Sequence, residues 1–414
     1  MSTTTAAMEM RMESQVANNA VSTEIVICLG PWYSDASIDS LQPLLQVLRE
    51  ALGDRAASTL ISYPVSNPET ASWNQDGLSL QPYPSLASIH TLTVQTSAAY
   101  LSLHEIMRDH SASCGMLLGA EAHSLSPAAI RGLIDAVHNE QADVALPRYS
   151  IGPHDGLINA AILHPLTRAL FGVRNAFPMA LDLALSTRAA ERMATAAQQQ
   201  TATGQPDTLL WPTIEAAAAG FSVADVSSGV REIPHPATVD LATILGALTA
   251  SLFTEIETKA SYWQRTRPPV AMHSINGMPD VHLPTPTVSS EETSELIESF
   301  RIGYGNLHEL WSLVLPPQTL LGLKHLSRLP AESFSMPDTL WVRIVYDFVL
   351  AHRLRTINRG HLLGALTPLY LAWVASHIQA NSITENPPET LARAFEADKP
   401  YLVSRWRWPD RFNP

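Results

Sequence analysis

The sequence predicts a mostly parallel α/β sheet with helices on both faces, followed by an all-helical domain. In the first half, short apolar, β-branched runs alternate with segments whose apolar residues recur at helical spacing, which is typical of a parallel sheet. From Val239 onward only the helical spacing recurs. A proline-rich segment, 268–287, separates the first of these later helices from the others and is interpreted as a linker.

The predicted elements follow one another in regular order, beginning with a strand at 24–29. Because Pro43 belongs near a helix start, we expect the N-cap of the first helix at Asp39 or Ser40 rather than at Ser37. Residues 64–92, rich in Pro, Ser and Asn, are predicted to be irregular. Further strands are predicted at 58–63, 114–118, 143–147 and 222–226, and helices at 97–109, 126–138, 157–171, 207–219, 239–263, 291–314, 317–328, 338–357, 361–380 and 389–405.

Composition limits the classes of function. A length of 414 residues suits two domains, and a net charge of −13 argues against nucleic-acid binding, because phosphate contacts need clustered Lys and Arg.

Cys28 and Cys114 lie in apolar runs and are interpreted as buried thiols in a reducing compartment. Residues 1–22 lack the apolar run of a secretory signal and are predicted to be a disordered leader. The apolar stretch 361–378 is interpreted as a core helix rather than a membrane span, so we expect a cytoplasmic protein.

An acid inside an apolar run is the strongest polar signal. Asp182 stands in the sequence MALDLALS, and an ionised carboxylate is costly to bury without a partner. We therefore interpret Asp182 as part of a polar site and expect Arg148, His154 or Asp207 beside it. A purely structural role for Asp182 is the alternative.

The other candidate residues follow predicted strands or begin predicted helices. Glu121 comes after the strand 114–118 and could hold a divalent cation, since Mg²⁺ and Mn²⁺ prefer hard oxygen ligands. His235, after the last predicted strand, could complete that site. Asp155 and Asp207 stand at helix starts, where a carboxylate can also act only as an N-cap. A solvated loop acid and an ordinary loop histidine are the alternatives for Glu121 and His235.

The sequence lacks the common phosphate- and zinc-binding motifs, and one basic and aromatic cluster remains as a candidate ligand site. The sequence contains no Gly-rich dinucleotide fingerprint, no phosphate-binding loop, no His-Glu-x-x-His and no Cys-x-x-Cys. Near the C-terminal end, Arg405 and Arg407 alternate with Trp406 and Trp408. Such a cluster can bind an anion, but helix-end packing with cation–π contacts is the favoured interpretation.

Long stretches of the sequence resemble GT-A glycosyltransferases of the mannosylglycerate synthase-like kind, including bacterial family 2-type members. The similarity runs from about Ile25 to Trp406 and includes DGLINAAILHPLTRALFG, DTLLW and FEADKPYLVSRW. The resemblance implies a GT-A-like nucleotide-sugar-binding domain over 23–235 and a helical C-terminal domain over 236–414. It also implies transfer of a sugar from a nucleotide-diphosphate sugar to a small hydroxylated acceptor, with retention.

The donor-site motifs of that family are degenerate in this sequence. Its base-contacting Asp has no acidic counterpart in 62–65, and its Gly-Lys-Gly is replaced by Gln-Thr-Ser at 95–97. The family's Pro-Ser-Tyr-Asn turn stands here as Pro31-Trp32-Tyr33-Ser34, its metal-binding Asp-x-Asp as Gly119-Ala120-Glu121, and its Gly-Gly-Asp as Ala180-Leu181-Asp182.

The resemblance implies a role for each candidate residue. Pro31, Tyr33 and Glu121 would contact the nucleotide sugar. Glu121 and His235 would form a weakened site for Mg²⁺ or Mn²⁺. Asp182, Asp207 and Asp155 would be the catalytic residues on the acceptor side.

Two functions compete on these grounds. The first is an active hexosyltransferase, in which a divalent metal stabilises the leaving diphosphate. The second is a catalytically weakened or inactive homologue that keeps the fold as a binding or assembly module. The lost donor-site residues favour the second, and the family resemblance favours the first. We therefore expect a member of the glycosyltransferase family, with hexosyltransferase activity implied by the resemblance and turnover left open. In the first case a nucleotide-sugar donor and a small-molecule acceptor are the expected ligands, and homo-oligomerisation is left open. An unrelated α/β enzyme, with a differently organised pocket, is a third alternative.

Overall fold

The computed structural model describes residues 22–34, 36–66, 72–75, 77–84, 94–152, 156–201, 209–232, 239–265, 270, 272–275, 289–381 and 387–408. All but the last residue of the predicted leader 1–22 therefore lies outside the described residues. The strands are β1 Ile25–Leu29, β2 Thr59–Val65, β3 Trp73–Gln75, β4 Leu78–Pro84, β5 Cys114–Leu118, β6 Val144–Ser150, β7 Leu183–Ser186, β8 Val223–Val230 and β9 Met272–Ile275.

These strands form one nine-stranded sheet in the order β3-β4-β2-β1-β5-β7-β6-β8-β9. Most neighbours pair in parallel, but β3 runs antiparallel to β4, and β7 runs antiparallel to both β5 and β6. Because β7 is inserted in the opposite direction, its first residue lies at the edge where β5 and β6 end. This reversal brings residues before β7 next to residues after β5.

The helices are α1 Ile38–Leu52, α2 Ser97–Asp109, α3 Pro127–His138, α4 His164–Phe171, α5 Thr187–Thr201, α6 Pro212–Ala219, α7 Leu241–Thr258, α8 Ala260–Trp263, α9 Ser290–Ser312, α10 Pro317–Leu326, α11 Asp338–Leu354, α12 Arg359–Gly364, α13 Thr367–Asn381 and α14 Pro387–Arg407. A π-helical turn, Asn159–Leu163, leads into α4. After residue 289 the regular structure of the described residues is entirely helical. No helix in the described ranges is both long and apolar enough to cross a bilayer.

Helices cover both faces of the sheet, as the alternation of side chains along β1 shows. Ile25, Ile27 and Leu29 belong to a buried cluster with residues of α1 and α3. Val26 and Cys28 belong to a second cluster, with residues of α2 and α5. Since successive residues of a strand point to opposite faces, a strand buried on both sides needs an unbroken apolar run. The predicted fold class, a mostly parallel α/β sheet followed by helices, is confirmed.

The start of α1 differs from the prediction, because its N-cap is Ser37 rather than Asp39 or Ser40. The Ser37 hydroxyl accepts a hydrogen bond from the Ser40 N–H at 3.2 Å. Pro43 is then the sixth helical residue and cannot donate to the carbonyl of Asp39. Asp39 is exposed, so solvent can satisfy that carbonyl and the missing bond is tolerated.

Five elements lie where no strand or helix was predicted. The strands β3 and β4 form a hairpin inside 64–92, the strand β7 is followed by the helix α5, and β9 lies inside the predicted linker 268–287 and pairs with β8. The helix α5 buries a stripe of alanines with Met193, which a search for large apolar residues misses. Because β9 completes the sheet, the sheet takes a strand from beyond the domain boundary predicted after residue 235.

A charged contact joins α4 to the last helix. The Arg168 guanidinium, 9% exposed, donates to both Glu389 and Glu396 at 2.6–3.2 Å. Hydrogen bonding to Arg168 is the main cause that lowers the pKa of Glu389 to about 2. The two carboxylates are each about one-third exposed, so solvent screens part of this attraction.

We expect this contact to make stability sensitive to acid. The folded-state pKa of Glu389 is below its ordinary value of 4.5, so its stabilisation is complete above about pH 4.5 and is lost as the pH falls towards 2. Thermal unfolding of the wild type and of Glu389→Gln should therefore differ at pH 6 by about 1 kcal/mol or less and converge near pH 2. A difference that does not shrink on acidification would contradict the assignment.

Candidate functional site

The polar residues of the sheet gather at the edge where the parallel strands end. Gly119 follows β5, Tyr149 lies near the end of β6, Asp182 directly precedes β7, and Arg231 follows β8. These four residues are joined by hydrogen bonds, and we refer to them as the Asp182 cluster. Ligands of open α/β sheets bind beyond this same edge, which makes the cluster the natural place to look for function.

The carboxylate of Asp182 is completely buried and fully hydrogen-bonded. Its Oδ1 accepts the Gly119 N–H at 2.9 Å, and its Oδ2 accepts the Tyr149 hydroxyl at 2.7 Å. The Asp182 backbone N–H donates back to the Tyr149 oxygen at 3.2 Å. Burial, with the nearby Asp182 charge, raises the pKa of Tyr149 well above its ordinary value. Tyr149 is therefore a neutral donor that holds the carboxylate in place.

The guanidinium of Arg231 neutralises Asp182. Its Nε donates to Oδ2 of Asp182 at 2.9 Å, and both side chains are 0% exposed. Its remaining donors go to the carbonyl oxygens of Ala120 at 2.6 Å, Glu121 at 2.7 Å and Glu232 at 2.8 Å. A buried ion pair persists only when such additional bonds satisfy it. Arg231 therefore also fixes the backbone of the loop that follows β5.

The backbone around the cluster is closely packed. A Cβ placed on Gly119 would lie 3.0 Å from both the Cβ and the carbonyl oxygen of Leu181, so a larger residue there would crowd Leu181. The side-chain amide of Gln95 donates to that same carbonyl at 3.1 Å. The Leu181 backbone and side chain therefore pack directly against the start of the loop after β5.

Pro31 and Tyr33, predicted to bind the nucleotide, form a short 3₁₀ turn after β1. Pro31 is buried. The Tyr33 hydroxyl donates to the Gly119 carbonyl at 3.1 Å and accepts the Ala122 N–H at 3.1 Å. Burial raises the pKa of Tyr33 to about 12, so it stays neutral. Both residues lie at the expected edge, and Tyr33 holds the loop after β5; their contact with a nucleotide stays a prediction.

Glu121 lies two residues beyond Gly119, as predicted, and points towards solvent. Its backbone is in the left-handed region, with φ of 56°, and its side chain is about half exposed. Its carboxylate lies 3.6 Å from Nδ1 of His123. Within the described ranges, no group of three or more His, Cys, Asp or Glu could hold a metal ion.

The described residues do not fit a divalent cation at this edge. Asp182, the second carboxylate of the region, is already neutralised by Arg231. The same guanidinium donates to the backbone carbonyl of Glu121, so a fixed positive charge lies beside the backbone of that residue. His235, the predicted second ligand, lies outside the described residues.

Of the predicted neighbours of Asp182, only Arg148 lies within the described residues, and it pairs with a different acid. Arg148 lies in β6 and pairs with Asp225 at 2.8 Å, and Asn175 holds the other oxygen of Asp225 at 2.6 Å. Asp155, His154 and Asp207 lie outside the described residues, so their predicted roles stay predictions. The structure therefore brings together Asp182, Tyr33 and the backbone of Glu121 among the predicted site residues.

Sequence reasoning missed the two residues that satisfy Asp182. Tyr149 lies beyond the predicted strand 143–147, although it is a strand residue in β6. Arg231 directly follows β8. An arginine just after a mostly buried strand was the available signal, because a buried acid requires a cation at the same sheet edge.

No protein-family model and no curated protein matches this sequence. Among solved structures, the chain is similar to a crystal structure of glucosyl-3-phosphoglycerate synthase from Mycobacterium tuberculosis in complex with Mn²⁺, uridine-diphosphate-glucose and phosphoglyceric acid. The sequence identity is 12%, the TM-score is 0.33, and the match covers 56% of this chain and 79% of that chain. At this level the similarity carries no information on substrate or metal.

Proposed function

We propose that the protein is a glycosyltransferase-like homologue with weakened or absent turnover that serves as a binding or assembly module. The resemblance of the sequence to GT-A glycosyltransferases supports the family, and the complete burial of the Asp182–Arg231 pair supports the loss of turnover. That pair is the observation that carries the proposal, because it removes the strongest candidate catalytic acid from contact with any ligand.

The chemical reason is that a substrate cannot reach the Asp182 carboxylate. A general base or nucleophile must come within hydrogen-bonding distance of the reacting group. Both oxygens of Asp182 are already taken by Gly119, Tyr149 and Arg231, and the side chain has no exposed surface. Among the described residues, Glu121 belongs to no group of His, Cys, Asp or Glu that could hold Mg²⁺ or Mn²⁺.

An active hexosyltransferase is the competing function. Pro31, Tyr33 and Glu121 do lie together at the sheet edge where ligands bind in such folds, and this placement favours retained donor binding. In that case a nucleotide-diphosphate sugar would be the donor, a small hydroxylated compound the acceptor, and transfer would proceed with retention as in mannosylglycerate synthase-like enzymes. The two proposals make opposite predictions for donor affinity.

We expect weak donor binding and no turnover. Each charge-assisted hydrogen bond lost with the family's base-contacting Asp and phosphate-contacting Lys removes about 1.5–3 kcal/mol, or about one to two decades in affinity. Titration of the full chain with UDP-glucose and GDP-mannose, with and without Mn²⁺, should give dissociation constants weaker than micromolar and no released nucleotide diphosphate. The metal should leave both results unchanged.

A matched variant separates the two proposals. In Glu121→Gln the side chain keeps its size and loses its charge, and the described partner of that carboxylate is the exposed His123. If Glu121 holds no metal, this variant should bind nucleotide sugars as the wild type does. Micromolar binding or sugar transfer that depends on Mn²⁺ and disappears in Glu121→Gln would establish the active enzyme instead.

A further inference from the structure

A second candidate ligand site lies in the helical part, away from the Asp182 cluster. Residues of α10, α11 and α14 line an open cleft of about 790 Å³. Cavities that hold small molecules usually measure about 300–1,000 Å³ and combine apolar walls with a few polar groups. None of the residues of the Asp182 cluster lines this cleft.

One wall of the cleft is charged. Arg343 of α11 stacks on the ring of Tyr401 at 3.6 Å and pairs with Asp398, Nη2 to Oδ1, at 2.6 Å. Arg405, one turn beyond Tyr401, donates to the Tyr401 hydroxyl at 2.7 Å and to Asp347 at 2.5 Å. These contacts hold two guanidinium groups against one aromatic ring.

Part of the lining is apolar, and we refer to its leucines as the leucine wall. These are Leu326, Leu329 and Leu340. Gly322 allows α10 to approach α11, because a Cβ on it would lie 2.9 Å from Cδ1 of Leu340. A molecule in the cleft would therefore contact both hydrocarbon and charge.

The charges of the lining favour an anion. The lining contains the two arginines Arg343 and Arg405 and one acid, Asp398. Asp347 contacts Arg405 and is completely buried, so it neutralises part of that charge without lining the cleft. Arg343 pairs with Asp398 through both Nε and Nη2, but its side chain is 41% exposed, so the guanidinium can still donate to a further anion.

We infer that this cleft binds an amphipathic organic anion, namely a molecule with one carboxylate or phosphate monoester group on an apolar body. Arg343 binds the anionic group, and the leucine wall contacts the apolar body. This site gives the helical part a ligand of its own. It goes beyond the function proposed for the sheet edge and does not depend on nucleotide-sugar binding. Either proposal can therefore be refuted without the other.

Calorimetric titration of the full chain with octanoate and octyl phosphate tests the inference and distinguishes the two anionic groups. We expect saturable binding of at least one of them, and none of octanol, octylamine or inorganic phosphate. Arg343→Gln should weaken that binding about tenfold or more, because a charge-assisted hydrogen bond is lost. Arg328→Gln, which removes the same charge from an exposed position outside the lining, should bind as the wild type does.

A second variant tests whether the ligand binds in the cleft itself, without replacing the arginine. Ala397 lines the cleft and is exposed, so Ala397→Phe fills the cleft without disturbing the core. It should abolish binding while the thermal unfolding temperature stays within a degree or two of the wild type. Absence of binding of both octyl anions, or binding that both Arg343→Gln and Ala397→Phe leave unchanged, would overturn the inference.

Discussion

Replacing Arg231 with methionine is expected to lower the free energy of unfolding by about 3–5 kcal/mol, because Asp182 is left buried and unpaired. Asp182 is 0% exposed, and its other two partners, Gly119 and Tyr149, are neutral donors that do not compensate the charge. The change also frees the carbonyls of Ala120 and Glu121. Urea denaturation of both proteins at pH 7 measures the difference.

Two further variants define what the pair contributes. Asp182→Asn should also destabilise the protein, because it leaves the buried Arg231 charge uncompensated. The double variant Asp182→Leu, Arg231→Met removes both charges and should recover much of the lost free energy of unfolding. Well-packed apolar residues can often replace a buried ion pair with little loss of stability.

A surface pair provides the comparison for these variants. Arg108 and Asp109 form an ion pair with both side chains more than 60% exposed. Arg108→Met should change the free energy of unfolding by less than about 1 kcal/mol. If Arg231→Met were as mild as Arg108→Met, the Asp182 cluster would not be a buried ion pair, and Asp182 would again be available as a catalytic residue.

Replacing Trp341 with alanine is expected to cost about 3–5 kcal/mol, as for other large buried aromatic side chains. Trp341 of α11 is 0% exposed, and its indole N–H donates to the Ala161 carbonyl at 2.9 Å. Ala161 lies in the π-helical turn before α4, so this one residue links the later helices to the segment between β6 and β7. Loss of its ring should destabilise both parts together in one unfolding transition.

The indole hydrogen bond and the ring can be separated. Trp341→Phe keeps most of the buried ring and leaves the Ala161 carbonyl without its donor, so a smaller loss of about 1–3 kcal/mol is expected. Trp408→Ala, at a position that is 61% exposed, should change stability by about 0.5 kcal/mol or less. Two separate unfolding transitions in Trp341→Phe, followed by calorimetry, would contradict the proposed link.

Much of the fold was predictable because its signals are local. The unbroken apolar run of β1 indicates a strand buried on both faces, and the helix 97–109 was predicted with the bounds of α2. Gly172 and Gly220 end their helices with φ of 74° and 72°, a conformation that glycine adopts without strain. Each of these features depends on residues that are neighbours in the chain.

The candidate site was only partly predictable, because its contacts join distant parts of the chain. The sequence alone showed that a buried acid at 182 must have a partner, since an unpaired carboxylate is too costly to bury. It could not show that the partner is Arg231, 49 residues away, or that Gly119 and Tyr149 complete the cluster. Only the tertiary structure decided which residues pair with Asp182, because the antiparallel insertion of β7 between β5 and β6 brings those strand ends together. An ion pair between residues of different strands leaves no periodic pattern in the sequence.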